Sequence, residues 1–297
     1  MKFAIIGANS YIARNLVYKL KKEYSDIDLN LYGKAEEQAD GVDGYTKVDL
    51  FNIDDIKKVD FNCDAVFVFA GKTGSANGFD EFDIFIDSNE KILLNILNEY
   101  RRQGSKAKII YPSTRLVYKG KAGLQKEDSE KEFKTIYAIN KYACEQYLEQ
   151  YHRVFDVRYC IFRICVPYGS LIEGASSYGT VEFMLNKAKN GNNISLYGDG
   201  SVRRTLTYIG DLCKVLIEGA ISDNCVNEVF NIGGEDYTLK EMAILIAEKY
   251  GVGIEYVEYP EVAEKIESGD TVFDDNKLKE RLKLNYEMPF LKWCMEG

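Results

Sequence analysis

The first thirteen residues limit the fold more than any other stretch. Residues 3–6, Phe-Ala-Ile-Ile, form an apolar strand that runs into Gly7. Residues 7–13, Gly-Ala-Asn-Ser-Tyr-Ile-Ala, follow as a turn of mostly small residues, and Leu16, Val17 and Leu20 then fall at helical spacing. Strand, small-residue turn and helix in direct succession make the opening of a dinucleotide-binding βαβ unit, in which a helix N-terminus faces the pyrophosphate. Ser10 and Ala13 occupy the positions where that motif places its second and third glycines. Ala13 still permits close helix–strand packing, and the Ser10 hydroxyl can donate to a phosphate. Gly7, Asn9, Ser10, Tyr11 and Ile12 are therefore candidate cofactor contacts.

The βα order continues. A second strand, residues 29–32, closes on Gly33 and Lys34, where an acid would hold the adenosine ribose of NAD. The missing carboxylate removes repulsion against a 2′-phosphate, and Lys34 can pair with it, which tilts the expectation toward NADP and leaves NAD open. A third strand is predicted over 45–50; Asp49 at its end can accept from the adenine amino group, with Leu50 beside it. The fourth, 64–71, ends in Ala70 and Gly71, small enough for backbone to lie against a cofactor. A helix from Asn89 to Tyr100 carries Ile92, Leu93, Ile96 and Leu97 on one face. The fifth strand, 108–114, brings Ser113 and Thr114 to its carboxyl end, the edge at which parallel sheets bind ligands. A long helix over 135–151 and a sixth strand over 158–164 complete the pattern. The expected fold is α/β: a Rossmann-like doubly wound parallel sheet. Pro167-Tyr168-Gly169-Ser170 breaks the alternation. Residues 1–166 are accordingly read as the dinucleotide-binding domain. Residues 167–297 are read as mainly a smaller α+β substrate-binding domain, with the chain returning to the first at about 209–232.

Bulk properties exclude several classes. The 297 residues carry a net charge of −9, which argues against a nucleic-acid surface. No uncharged apolar run approaches the roughly 20 residues that span a membrane, and the N-terminus lacks the order of a signal peptide, so a cytoplasmic protein is expected. Seven scattered cysteines without a CxxC pair, and the lone His152 near a helix end, give no metal site.

Tyr137 and Lys141 are four apart and share a helix face. With a hydroxyl from Thr114 or Ser113 they could move a proton on a sugar alcohol or ketone while a nicotinamide exchanges hydride. The spacing is weak by itself in a chain with 22 tyrosines; its placement after the fifth strand gives it weight. Further on, a Gly198-Asp199-Gly200 turn precedes Arg203 and Arg204, a pair suited to a diphosphate.

Taken together, Gly7 to Ala13, Asp49, Ala70, Asn89, Ser113-Thr114…Val117-Tyr118 and Tyr137…Lys141 resemble the extended short-chain dehydrogenase/reductases, specifically the NAD-dependent epimerase/dehydratase group that acts on nucleotide sugars. The likeness continues through Arg163…Tyr168-Gly169, Gly198-Asp199-Gly200…Arg204…Tyr208…Asp211 and Phe230-Asn231-Ile232-Gly233. It implies Tyr137 as acid–base group, Lys141 holding the nicotinamide ribose and lowering the Tyr pKa, and Thr114 hydrogen-bonding the reacting oxygen. It also implies Ser113, Tyr168 and Arg204 at the substrate, Arg204 on its diphosphate, and Asn89 supporting the site. A homodimer through the 89–100 and 135–151 helices is the usual assembly. The group's 4,6-dehydratases carry Asp-Glu directly after the catalytic Thr; Arg115 and Leu116 stand there instead, which removes the acid and base for dehydration. Val166 stands where the group usually has Asn, and Lys119 where it has Gly. The resemblance leaves a 4-keto reductase using NADPH, narrowly preferred on Lys34, a 4-epimerase with retained NAD, or a non-catalytic NAD(P)-binding relative.

Overall fold

The computed structural model describes residues 1–177 and 179–296; Tyr178 and Gly297 lie outside them. The first half runs β1 (Lys2–Ile6), α1 (Tyr11–Glu23), β2 (Asp28–Gly33), β3 (Tyr45–Lys47), α2 (Ile53–Ile56), β4 (Ala65–Val68) and α3 (Phe82–Ile86). A π-helical turn, Asp87–Lys91, leads into α4 (Ile92–Arg102), then β5 (Lys108–Thr114), a 3₁₀ turn (Arg115–Val117), β6 (Leu124–Gln125), α5 (Ile136–Phe155) and β7 (Tyr159–Ile164). The second half runs β8 (Val166–Tyr168), α6 (Thr180–Lys189), β9 (Ile194–Tyr197), β10 (Arg203–Tyr208), α7 (Ile209–Ile221), β11 (Glu228–Asn231) and β12 (Glu235–Thr238). It closes with α8 (Leu239–Tyr250), β13 (Ile254–Val257), α9 (Glu261–Ile266), β14 (Val272–Phe273), α10 (Asn276–Arg281) and α11 (Phe290–Glu296). No helix among the described residues is long and apolar enough to cross a membrane.

Seven parallel strands form the main sheet in the order β11-β7-β5-β4-β1-β2-β3. β4 and β7 are buried along their whole length, which is why β4 reads as an unbroken apolar run and β7 as one broken only by Arg163. One face of the sheet packs Leu16, Val17 and Leu20 of α1, Leu212 and Leu216 of α7 and Leu278 of α10. The other face packs Ile92, Leu93, Ile96 and Leu97 of α4 with Cys144 and Leu148 of α5. β8, β10 and β12 make a second sheet, which shares a separate core with α6, α8 and α11. After β10 the chain returns: α7 covers the main sheet and β11 pairs with β7.

Local chemistry sets the element ends. Ser10 caps α1 by accepting from Ala13 N, Thr135 caps α5 by accepting from Ala138 N, and Thr238 with Glu241 forms a capping box on α8. β3 is shorter than predicted, because beyond Val48 the Asp49 carboxylate accepts from Phe51 N and turns the chain out of the ladder. His152 lies in the last turn of α5, bonded to the Val157 carbonyl at 3.1 Å.

One buried polar network ties these layers together. Arg163 of β7 is bidentate to Glu145 of α5, at 3.0 and 2.6 Å, with the two side chains 4% and 2% exposed. Ser113 of β5 donates to the same carboxylate. Arg163 also reaches the Tyr118 hydroxyl at 2.7 Å and the Glu127 carbonyl at 2.8 Å, and Tyr118 donates to Asn231 of β11 at 2.7 Å. Removing one charge of such a pair strands the other. Glu145→Ala is expected to lower unfolding stability by roughly 3–5 kcal/mol in urea titration. The double replacement Glu145→Leu with Arg163→Met should lose much less, and equal losses would show that the network does not depend on the pair.

Candidate active site

The cofactor edge is built from bare backbone. Gly7, at φ +86°, closes the turn after β1, and a Cβ there would sit 2.5 Å from Ala70 N, so β1 and β4 end in contact. The amides of Gly7 and Ala8 both donate to the Tyr32 carbonyl, at 2.8 and 3.0 Å. The first intrahelical bond of α1 is Arg14 N to Ser10 O, which leaves the amides of Tyr11 and Ile12 pointing out of the helix end. No acid occupies the first turn of α1, so nothing there repels an anion. Ser10 uses a lone pair on Ala13 N at 3.4 Å and keeps its own hydrogen to donate.

Across the edge, Gly71 has φ +155°, and a Cβ there would lie 2.6 Å from Asn89 Oδ1. That oxygen accepts from Lys72 N at 3.0 Å, while Asn89 Nδ2 is buried without a partner. Asn89 belongs to the π-helical turn, a distortion that concentrates at functional sites. An outward helix terminus, a glycine cradle and an unmet buried donor fit a bound dinucleotide, with Gly7, Ser10, Tyr11, Ile12, Ala70, Gly71 and Asn89 around it.

The remaining predicted cofactor residues have other partners. Asn9 ties the turn to the loop after β2, donating to Glu37 O and accepting from Ala39 N, both at 2.9 Å. The Tyr11 hydroxyl crosses to the Gly169 carbonyl at 2.6 Å, so only its amide serves the helix end. Lys34 is exposed, its Nζ 5.9 Å from the centre of the Phe51 ring, in a loop that also carries Glu36 and Glu37. Leu50 is a core residue whose carbonyl accepts from Asn95.

The chemical residues come from β5 and α5. Alternation along a strand sends Ser113 and Thr114 to opposite faces. Ser113 is committed to Glu145, on the α5 side. Thr114 caps the 3₁₀ turn by accepting from Leu116 N at 3.3 Å, with its hydroxyl hydrogen left to donate. Tyr137, Lys141 and Glu145 follow at four-residue steps on one face of α5. Lys141 Nζ lies 4.0 Å from the Tyr111 ring centre. Burial pushes the Tyr137 phenol above its ordinary value of 10, and the neighbouring Cys144 adds to the rise. Burial pushes Lys141 down to about 8. The expectation that Lys141 draws the phenol down is therefore not met in the protein alone: desolvation dominates both groups, and the ammonium faces the Tyr111 ring.

On the substrate side two expectations change. Tyr168 is 1% exposed, packed among Tyr208, Phe290 and Trp293, with its hydroxyl on the Met288 carbonyl; it is core rather than a substrate contact. Arg204 is 2% exposed and ion-paired to Glu267, with further bonds to the carbonyls of Arg203 and Gly269. A carboxylate of the chain thus already occupies the guanidinium expected to clamp a diphosphate. Beside it, Arg115 donates to the Ser268 hydroxyl at 2.8 Å. Sequence reasoning missed Glu145, Glu267 and Ser268. Glu145 was findable, one helical step beyond Lys141; Glu267 is 63 residues from Arg204, with no local pattern joining them.

The lowered Lys141 value fixes the sign of a pH effect. The folded chain gives up this proton near pH 8 and the unfolded chain near 10.5, so unfolding binds a proton between those values and stability rises with pH across the window. Lys141→Met should remove that contribution. The urea midpoint of the cofactor-free variant is expected to gain less than wild type between about pH 7.5 and about pH 9.5; identical gains would show that Lys141 is not desolvated.

Comparison with known proteins identifies the family and the fold. The model of the NAD dependent epimerase/dehydratase family matches residues 3–233. A Methanocaldococcus jannaschii protein, provisionally named UDP-glucose 4-epimerase, is 23% identical over 253 residues, covering 83% of this chain and 82% of that protein. The UDP-glucose 4-epimerase of Thermotoga maritima, solved with UDP-glucose, superposes with a TM-score of 0.86 at 21% identity, covering 99% of this chain and 96% of that one. The UDP-glucuronic acid 4-epimerase of Bacillus cereus, solved with UDP-glucuronic acid and NAD, gives 0.87 at 19% identity, covering 99% and 97%. With its glycine-lined nucleotide edge and its Thr114, Tyr137 and Lys141 set, the chain belongs to the NAD dependent epimerase/dehydratase family.

Proposed function

We propose that the protein is an NAD-dependent nucleotide-sugar 4-epimerase. The observation that carries this is the placement of Thr114 at the end of β5 and of Tyr137 and Lys141 on one face of α5, at the sheet edge where Gly7 and Gly71 leave backbone bare. NAD, when bound, accepts a hydride from the sugar carbon and returns it. The residues handle the proton and the oxygen. Tyr137 takes the hydroxyl proton as the carbon–hydrogen bond breaks, and gives it back after the ketone has turned its other face. Thr114 donates its hydroxyl hydrogen to the reacting oxygen and holds it in line. Lys141 supplies donors for the nicotinamide ribose and positive charge beside the phenolate as it forms.

The reductase alternative rested on Lys34 as a 2′-phosphate partner. That lysine is exposed and shares its loop with Glu36 and Glu37, surroundings that favour NAD. The family and the named relatives weigh the same way. Arg115 and Leu116 continue to argue against dehydration. The expected homodimer through α4 and α5 is supported by exposed Ile139 on α5 and by exposed Ile84 and Ile86 on α3 just before α4, whereas the apolar residues of α4 itself are spent on the sheet.

Protein purified without added coenzyme is expected to release NAD on denaturation and to interconvert UDP-glucose and UDP-galactose, or another pair of C4 epimers, unaided. Empty protein that consumes NADPH with a 4-keto sugar nucleotide would overturn the epimerase in favour of the reductase. Tyr137→Phe should lower kcat about 10²–10⁴-fold with NAD still bound, and unchanged turnover would end both enzyme readings. Ile139→Glu is expected to convert a dimer to monomer in sedimentation velocity; a wild type that sediments as a monomer removes the dimer.

A further inference from the structure

The π-helical turn that carries Asn89 is gripped from one side by α5, and the grip falls on Glu90. Asn140 Nδ2 donates to one oxygen of the Glu90 carboxylate at 2.5 Å, and the Tyr147 hydroxyl donates to the other at 2.7 Å. Asn140 and Tyr147 lie two helical turns apart along one side of α5. Cys144, between them, donates its thiol hydrogen to the Asn89 carbonyl at 3.3 Å. Hydrogen bonds to a charged acceptor are about twice as strong as neutral ones. Asn140 makes its bond while its own Oδ1 stays buried without a partner, a cost that an apolar residue would have avoided. The bond to Glu90, with burial, pushes the Tyr147 phenol up to about 12, so it stays a donor at neutral pH.

Glu90 adjoins Asn89, but the two side chains serve different neighbours. Asn89 Oδ1 accepts from Lys72 N at 3.0 Å beside Gly71, and its Nδ2 is the unmet buried donor of the coenzyme edge. A π turn is rare and closes its hydrogen bonds one residue later than an α turn. One residue of an α-helix is roughly 100° of rotation, so slippage of this turn toward α geometry would swing Asn89 away from Gly71. We propose that Glu90 is a positioning residue for the coenzyme: by holding α5 through Asn140 and Tyr147 it keeps the π turn in register, and so keeps the Asn89 amide turned to the edge that receives NAD. Asn140 immediately precedes Lys141, so the same bond ties that edge to the helix of the acid–base pair. The inference rests on the NAD-binding edge and not on the epimerase reading.

The test is the release of NAD from the full chain, loaded with radiolabelled NAD and diluted into excess unlabelled NAD, with no sugar present. Glu90→Ala is expected to release NAD at least about ten-fold faster than wild type, the size of a lost hydrogen bond to a charged group. Glu90→Gln keeps an acceptor for Asn140 and should recover most of that loss. Tyr147→Phe removes one of the two donors and should fall between wild type and Glu90→Ala. Glu90→Ala added to Asn89→Ala should speed release by less than about two-fold, because no amide is left to position. A Glu90→Ala effect that persists in full beside Asn89→Ala would overturn the proposal, as would release from Glu90→Ala at the wild-type rate or a wild type that takes up no label. If Glu90→Ala does not fold, Tyr147→Phe with and without Asn89→Ala decides in the same way. Release is read without turnover, so a protein that shows this pattern yet does not epimerise would sink the proposed function alone.

Discussion

A buried carboxylate organises the sheet edge that carries the candidate site. Glu145 on α5 receives Arg163 from β7 and Ser113 from β5, and Arg163 extends the network through Tyr118 to β11. The attraction is strong because both side chains are buried, and the cost of breaking it is high for the same reason. Its geometric effect is to lock the register of α5 against the two strands whose ends form the site. Tyr137 and Lys141 sit two helical steps and one step before Glu145, so fixing Glu145 fixes them. The placement of Tyr137 and Lys141 thus depends on a residue one helical step beyond Lys141.

A second constraint acts at the nucleotide edge, where the chain omits side chains instead of adding them. Gly7 lets the β1 turn lie against Ala70, and Gly71 lies against Asn89. At these two turns backbone rather than side chain faces the edge, which suits a flat cofactor. Asn9 then clasps the loop after β2, so that loop is placed by the same turn.

Much of this was legible in the chain. The βα order, the strand-end hydroxyls and the Tyr–Lys helix face are local patterns with periods of two and of about four residues; the order led to the sheet, and the other two to the candidate residues at its edge. The parts that were not legible depend on contacts between distant segments. Arg204 looked like a free cation beside a glycine turn, and nothing near it announces Glu267. Tyr168 looked like a site residue until Phe290 and Trp293, more than a hundred residues on, enclosed it. Ser113 and Thr114 are equivalent as letters; the pleat of β5 and the carboxylate on α5 separate them. Lys141 was expected to act on Tyr137 by charge alone, which neglects the desolvation that folding imposes on both.

The ion pair between Arg204 and Glu267 also sets an order of events during synthesis. The main sheet needs nothing after β11 to close, yet the guanidinium of β10 stays unmatched until the segment after α9 has arrived. A chain made only as far as β11 can therefore hold the bare sheet edge while Arg204 is still without its carboxylate.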